Sequence, residues 1–303
     1  MWIGVSGWTY DSWKGVFYPP ELAARRRLEY ASRRFNSLEI NASFYGLITP
    51  QTYGRWYRET PRGFRFALKG SRFITHNKKL EGIEAPLANY FASGLLLLRE
   101  KLGPIVWQLG PRLRFDPERL ERFFRPLPQD TRSAARLAQA HDHRLDGRSW
   151  TRIDRPRRLR HALEARDDSY RVPELAALAR GYGVALVVSD SGDWPRIEEI
   201  SSDFVYVRLH GRPRTYASRY GPAALRTWAD RIRQWQAGRQ PADARRISEH
   251  RPRRTHRDVY VYFDNDQRAH APRDALGLMR HVANRPPDEL GSARGWRKPE
   301  RRR

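Results

Sequence analysis

Eight short runs of β-forming residues recur along the chain with helix-like stretches between them, and this alternation restricts the fold more than any other feature. The runs are Trp2 to Val5, Ser37 to Ile40, Phe64 to Lys69, Ile105 to Leu109, Leu159 to Ala165, Val184 to Val188, Phe204 to Leu209 and Val259 to Phe263. Amphipathic segments lie at Glu21 to Phe35, Pro86 to Leu102, Pro117 to Phe124, Pro173 to Tyr182, Pro222 to Gln236 and Arg273 to Val282. Pro173 and Pro222 stand where proline suits a first helical turn, because its missing N–H would have no partner there anyway. Strands alternating with helices predict a parallel sheet wrapped by helices. Eight such units in 303 residues predict a (β/α)8 barrel in one domain over residues 1–285. A doubly wound open sheet is the alternative, but no Gly-rich dinucleotide fingerprint follows any run.

Two gaps between strands are longer than the rest. They hold Arg-rich stretches, expected as surface insertions at about 129–158, helical in part, and 237–257, mobile from its Pro, Gly and mixed charge. Residues 286–303 are expected to form a basic, disordered tail. The formal net charge is +24, yet only six of the 58 basic residues are Lys. A binding surface rarely has reason to exclude Lys, so the Arg excess reflects composition as much as a polyanionic partner. Gln129 to Arg160, Ala237 to Arg257 and Arg294 to Arg303 each carry a net +5, which places the excess outside the patterned core. There is no Cys, which excludes disulfides, thiolate metal sites and a cysteine nucleophile. No apolar run approaches a membrane span, and a strand-like start at Ile3 implies a cytoplasmic protein.

Chemistry in such a barrel collects where strands end and βα loops begin. That rule selects Glu39 and Asn41 with Tyr45 after strand two, Lys69 with His76 after strand three, and Gln108 after strand four. It adds Glu164 and Arg166 from strand five, Asp190 from six, Arg208 and His210 from seven, and Asp264 and Asn265 from eight. Core filling does not require polar groups at one end of otherwise apolar strands. The alternative is a buried ion-pair network near the mouth, with Glu164 bound to Arg166 or Arg208. His76 could equally cap a turn, and Trp8, Trp13, Tyr18 and Phe44 could simply pack.

The stretch Trp-Ile-Gly-Val-Ser-Gly-Trp-Thr-Tyr-Asp-Ser-Trp-Lys-Gly-Val-Phe-Tyr-Pro (Trp2 to Pro19) resembles the opening of the YecE-like family, a domain of unknown function. Leu-Glu-Ile-Asn-Ala-Ser-Phe-Tyr (Leu38 to Tyr45), Phe-Arg-Phe-Ala-Leu-Lys with Ile-Thr-His, Leu-Gly-Pro-Ile-Val-Trp-Gln-Leu, Tyr-Val-Arg-Leu-His-Gly and Val-Tyr-Val-Tyr-Phe-Asp-Asn-Asp extend the likeness to about residue 283. The resemblance implies a TIM-like (β/α)8 barrel and names no activity. The chain departs from the family pattern after strand five, where the usual Glu-Phe-Arg-His-x-Ser-Trp becomes Glu164-Ala-Arg166-Asp167-Asp168-Ser169-Tyr170. It departs again at strand eight, where the usual Asn-Asn is Asp264-Asn265.

Three functions fit these residues. In the favoured one, Lys69, Arg166, Arg208 and His210 with Asn41 and Gln108 bind a small anionic or sugar-like molecule. Glu39 and Glu164 are then the candidate general acid and base, as in a glycosidase, with Lys69 and His210 beside them. The second places Mg²⁺, Mn²⁺ or Zn²⁺ among Glu164, Asp190, His210 and Asp264, as in a sugar isomerase, epimerase or hydrolase; the neighbouring Arg166 and Arg208 compete with a metal for those carboxylates. The third is a nucleic-acid or acidic-partner module using the Arg-rich insertions and tail. No cofactor is indicated by any motif.

Overall fold

The computed structural model describes residues 1–283. Eight parallel strands form one sheet: β1 (Trp2–Val5), β2 (Ser37–Ile40), β3 (Arg65–Lys69), β4 (Leu102–Gln108), β5 (His161–Glu164), β6 (Ala185–Ser191), β7 (Phe204–Gly211) and β8 (Asp258–Phe263). The strand order is β1-β8-β7-β6-β5-β4-β3-β2. The sheet closes where Ser6 bridges to Glu39 and the Gly7 amide donates to the Glu39 carbonyl at 2.9 Å. Gly4 makes this closure possible, because a Cβ there would stand 1.8 Å from the Ser37 carbonyl oxygen.

Nine α-helices surround the barrel among the described residues: α1 (Arg27–Ser32), α2 (Ala42–Tyr45), α3 (Pro50–Glu59), α4 (Glu84–Ala92), α5 (Pro117–Phe124), α6 (Thr131–Ala138), α7 (Pro173–Gly181), α8 (Pro222–Gln236) and α9 (His270–Ala283). Proline opens α3, α5, α7 and α8. Asp116 caps α5 by accepting from the Arg119 amide at 3.0 Å. The expected helix from Pro86 to Leu102 is divided at Gly94, whose φ of 116° ends α4. A Cβ at Gly94 would press on Pro50 Cα at 2.6 Å, so the break is set by contact with α3.

Alternate strand residues point to opposite sides of the barrel wall. One set packs outward against the helices as the main core, including Ile3, Leu38, Leu68, Trp107, Leu163 and Val207. The other fills the barrel interior with Ala67, Val106, Ala162, Ala185 and Val187 facing the larger Tyr206, Tyr260 and Tyr262. Small residues on β3 to β6 thus leave the space that tyrosines from β7 and β8 occupy.

The two Arg-rich stretches are more integrated than their composition suggests. Within 129–158, α6 starts at a capping box between Asp130 and Ser133 and buries Ala134 and Ala138. In 237–257 the backbone is tied down by two buried glutamates after β6, against the expectation of a mobile loop. Glu198 accepts from the Arg245 amide at 3.0 Å, and Glu199 from the Ile247 and Ser248 amides at 3.1 and 3.2 Å. Charged partners at distant positions do this work, so local composition could not reveal it. The basic tail from 286 lies outside the described residues.

Candidate active site at the barrel mouth

The inward positions that end the strands converge on Arg208. Its Nε and terminal nitrogens donate to Glu39 at 3.1 and 2.8 Å, to Glu164 at 2.9 Å and to Asp264 at 2.9 Å. Ser6 adds a 3.1 Å contact to the guanidinium and bonds the Glu39 carboxylate, so β1 also contributes to the mouth. Tyr206 donates to the other Glu39 oxygen at 2.6 Å. Gln108 donates to Glu164 Oε2 at 2.6 Å, and the other Glu164 oxygen faces His210 Nε2 at 2.8 Å and Ser189 at 3.3 Å. His210 Nδ1 lies 3.1 Å from Asp264. Glu39, Glu164, Arg208 and His210 are fully buried, with 0% exposure each.

Burial alone would raise the Glu164 carboxyl and lower the Arg208 guanidinium. Mutual attraction outweighs it, holding Glu164 well below the usual carboxylate range and Arg208 well above its own. Burial likewise pushes Asp264 up, and Arg208 and His210 bring it down to about 2.

Above this floor stand groups nearer to solvent. Lys69 has its Nζ 4.1 Å over the Phe44 ring and makes no ion pair with any carboxylate of the described residues. Burial, helped by Arg208, lowers its pKa to about 8. A π-helical turn, Phe73–Asn77, brings His76 edge-on to Phe44 with ring centroids 5.2 Å apart. Burial and then Arg166 and Lys69 lower His76 to about 4, so it is neutral at pH 7. Tyr45 projects from α2 and is 70% exposed. Across the mouth, the Arg166 guanidinium lies 3.7 Å over Trp194 and reaches Glu164 at 3.4 Å. Its buried Nε has no hydrogen-bond partner among the described residues. Trp194, His210 and Tyr216 form an aromatic triangle with centroids 5.0 to 5.9 Å apart.

Of the residues expected here, Glu39, Asn41, Tyr45, Lys69, His76, Gln108, Glu164, Arg166, Arg208, His210 and Asp264 are brought to one mouth. Asp190 and Asn265 are not. Ser189 takes the inward position on β6, which turns Asp190 outward to accept from Tyr220 at 2.9 Å and face Arg196 at 3.4 Å. Asn265 follows inward Asp264 and donates to Asp274 at 2.8 Å outside the barrel. The proposed metal quartet therefore loses Asp190, and both His210 nitrogens face carboxylates. No group of three or more His, Asp or Glu among the described residues is arranged to hold a metal ion. Asp167, at the position of the family's usual His, accepts from the Ser169 amide at 3.0 Å and caps a short 3-10 turn.

Sequence reasoning missed Ser6, Trp194, Tyr216 and Asp266. The last three sit in loops, where no periodicity marks the facing side. Asp266 is the most unusual: burial and Asp264 raise its carboxyl to about 8, and its Oδ1 has no partner among the described residues.

Fold and mouth together define a parallel (β/α)8 barrel with a charged network across the C-terminal ends of its strands. The chain belongs to the protein family of unknown function DUF72, whose model matches residues 2–295. It is similar to UPF0759 protein YunF of Bacillus subtilis strain 168, 33% identical over 82 residues, 27% of this chain and 28% of that protein. It is also similar to UPF0759 protein YecE of Escherichia coli K12, 30% identical over 116 residues, 37% of this chain and 40% of YecE. The matched stretch thus spans less than half the length of these relatives. A DUF72 family protein from Thermotoga maritima superposes with a TM-score of 0.69 at 21% identity, covering 93% of this chain and 98% of its own. One from Enterococcus faecalis gives 0.66 at 15% identity, covering 93% and 95%. At these identities the likeness is one of fold. No helix among the described residues is long and apolar enough to cross a membrane.

Proposed function

We propose that the mouth is an enzyme site for a small anionic, sugar-like molecule, held by Lys69 and Arg166 and bordered by Tyr45, His76, Trp194 and Tyr216. The observation that carries this reading is Lys69. A nearly buried ammonium that feels Asp264, Glu39 and Glu164 but has no carboxylate in ion-pair contact among the described residues is costly to keep, and an anion arriving at the mouth would supply a direct partner. Arg166, bonded to Glu164 at 3.4 Å, adds a second positive charge at the mouth and a buried Nε with no hydrogen-bond partner among the described residues. The exposed aromatic faces suit the apolar side of a sugar ring.

Lys69, with its pKa lowered to about 8, is the group suited to move a proton near neutral pH. Glu39 and Glu164 take a different role from that of acid and base. Their oxygens are already bonded beneath the surface, and they serve to hold Arg208 and His210 in place. Asp264, held from below by Arg208 and His210, is then the part of the floor nearest the ligand.

Calorimetric titration of sugar phosphates and sugar acids tests the reading. A binder is expected whose affinity falls at least tenfold in Lys69→Met and in Arg166→Gln, with Arg155→Gln unaffected. Failure of every compound to bind, or parent-like binding by Lys69→Met, would overturn it.

A further inference from the structure

The opposite end of the barrel carries a second charged concavity, independent of the mouth. A cleft of about 460 Å³ opens at the N-terminal ends of the strands, lined by Trp2, Arg65, Arg99, Tyr260 and the segment Arg155 to Arg160. This volume is within the usual range for small-molecule sites. Six arginines line it against two carboxylates, Glu100 and Asp258.

The six fall into two groups. Arg157 is clamped by Asp154 through contacts of 2.5 and 2.6 Å. Arg158 pairs with Asp203 at 2.6 Å, and Arg160 with Asp258 at 2.6 Å and Asp203 at 3.0 Å. These three build a braced wall. Arg65, Arg99 and Arg155 have no ion-pair partner among the described residues. Arg65 lies 4.9 Å over the Trp2 ring, which also stacks on Tyr260 with centroids 6.3 Å apart. Arg99 lies 5.3 Å from the Tyr57 ring and takes a φ of 50°, a costly conformation for a residue with a side chain.

A barrel's N-terminal face ordinarily serves stability, and a stabilising face would neutralise its charges. Some surface helices do so: Arg55 and Arg122 each meet a Glu four residues away on their own helix. Here three guanidiniums share one concavity and are left without that partner. Their forked donors match phosphate oxygens, and a ligand with several charges can engage more than one at once.

We infer that this cleft is a second ligand site, for a small molecule bearing two or more phosphate groups, held by Arg65, Arg99 and Arg155 against the wall of paired arginines. Inorganic triphosphate is the probe, titrated calorimetrically at fixed ionic strength, with far-UV circular dichroism confirming the fold of each variant. One triphosphate per chain is expected. Arg65→Gln, Arg99→Gln and Arg155→Gln should each weaken binding about tenfold or more, and the triple variant should abolish it. Lys69→Met at the mouth and Arg226→Gln on exposed α8 should bind like the parent. Absence of binding to the parent, or full binding by the triple variant, overturns the inference. Loss of triphosphate in Lys69→Met alone would move the anion to the mouth, with the same effect. A 20-nucleotide single strand that needs the same arginines and that triphosphate does not displace would assign the face to nucleic acid instead, and would likewise overturn it.

Discussion

Both ends of this barrel are charged, but they treat their charges oppositely. At the mouth, Glu39, Glu164 and Asp264 surround one guanidinium that water does not reach. At the base, aspartates bind arginines that remain partly in water, and three more arginines stand without acids among the described residues. A buried charge must be paired or it destabilises the fold, whereas a wet one contributes little either way. The mouth network is therefore bound up with stability, and the base is free to vary.

The sharpest break of this contrast is Arg208→Ala. It strands three buried carboxylates, and a loss of about 3–5 kcal/mol or outright failure to fold is expected. An unchanged denaturation midpoint would mean that the mouth charges do not hold the barrel. Alkali probes the same floor. Because the Lys69 pKa is lowered in the fold to about 8, the unfolded chain holds its proton longer. The Lys69 contribution to stability should grow by roughly 3 kcal/mol as pH goes from about 8 to 10.5. It is read as the difference between the parent and Lys69→Met, because buried tyrosines such as Tyr206, Tyr220 and Tyr262, held above their usual pKa, lose stability near pH 10 in both proteins. Binding of an anion at the mouth should weaken over the same interval. In acid the slope has the same sign, stability falling as pH falls. Asp264 falls to about 2 in the fold, and Glu164 is depressed in the same direction. Their contribution is present above the ordinary carboxylate range and disappears as pH drops through about 4 to 2, on the order of 2 kcal/mol for Asp264; urea midpoints across that range measure it. Smallest of all, Arg65→Gln and Arg155→Gln should shift stability by less than about 0.5 kcal/mol. A large loss there would show that the base is structural after all.

How much of this the sequence revealed depends on periodicity. β1 and β2 and the helices α5 and α8 are legible to the residue, since β-branched or aliphatic runs and an opening proline mark them. β6 and β7 run further than expected, through Ser189 to Ser191 and His210 to Gly211, because polar residues at a mouth do not resemble strand. α3 escaped notice for want of an aliphatic stripe; it buries Tyr53 and Trp56 instead. Within the site, Arg208 and His210 were correctly placed together by their spacing of two. The same alternation, applied to Ser189 and Asp190, would have sent Asp190 outside. Trp194, Tyr216 and Asp266 are set by loop paths, which no spacing rule covers.

The seam at Gly4 carries a consequence for how the protein is made. β1 pairs with β8 in register from Trp2 opposite Tyr260 to Val5 opposite Phe263, so a strand made early waits for one made more than 250 residues later. Until then Glu39 and Arg208 have no Asp264 to complete their cluster. Closing the ring and finishing the pocket are one late event, which comes only after synthesis has passed the eighth strand.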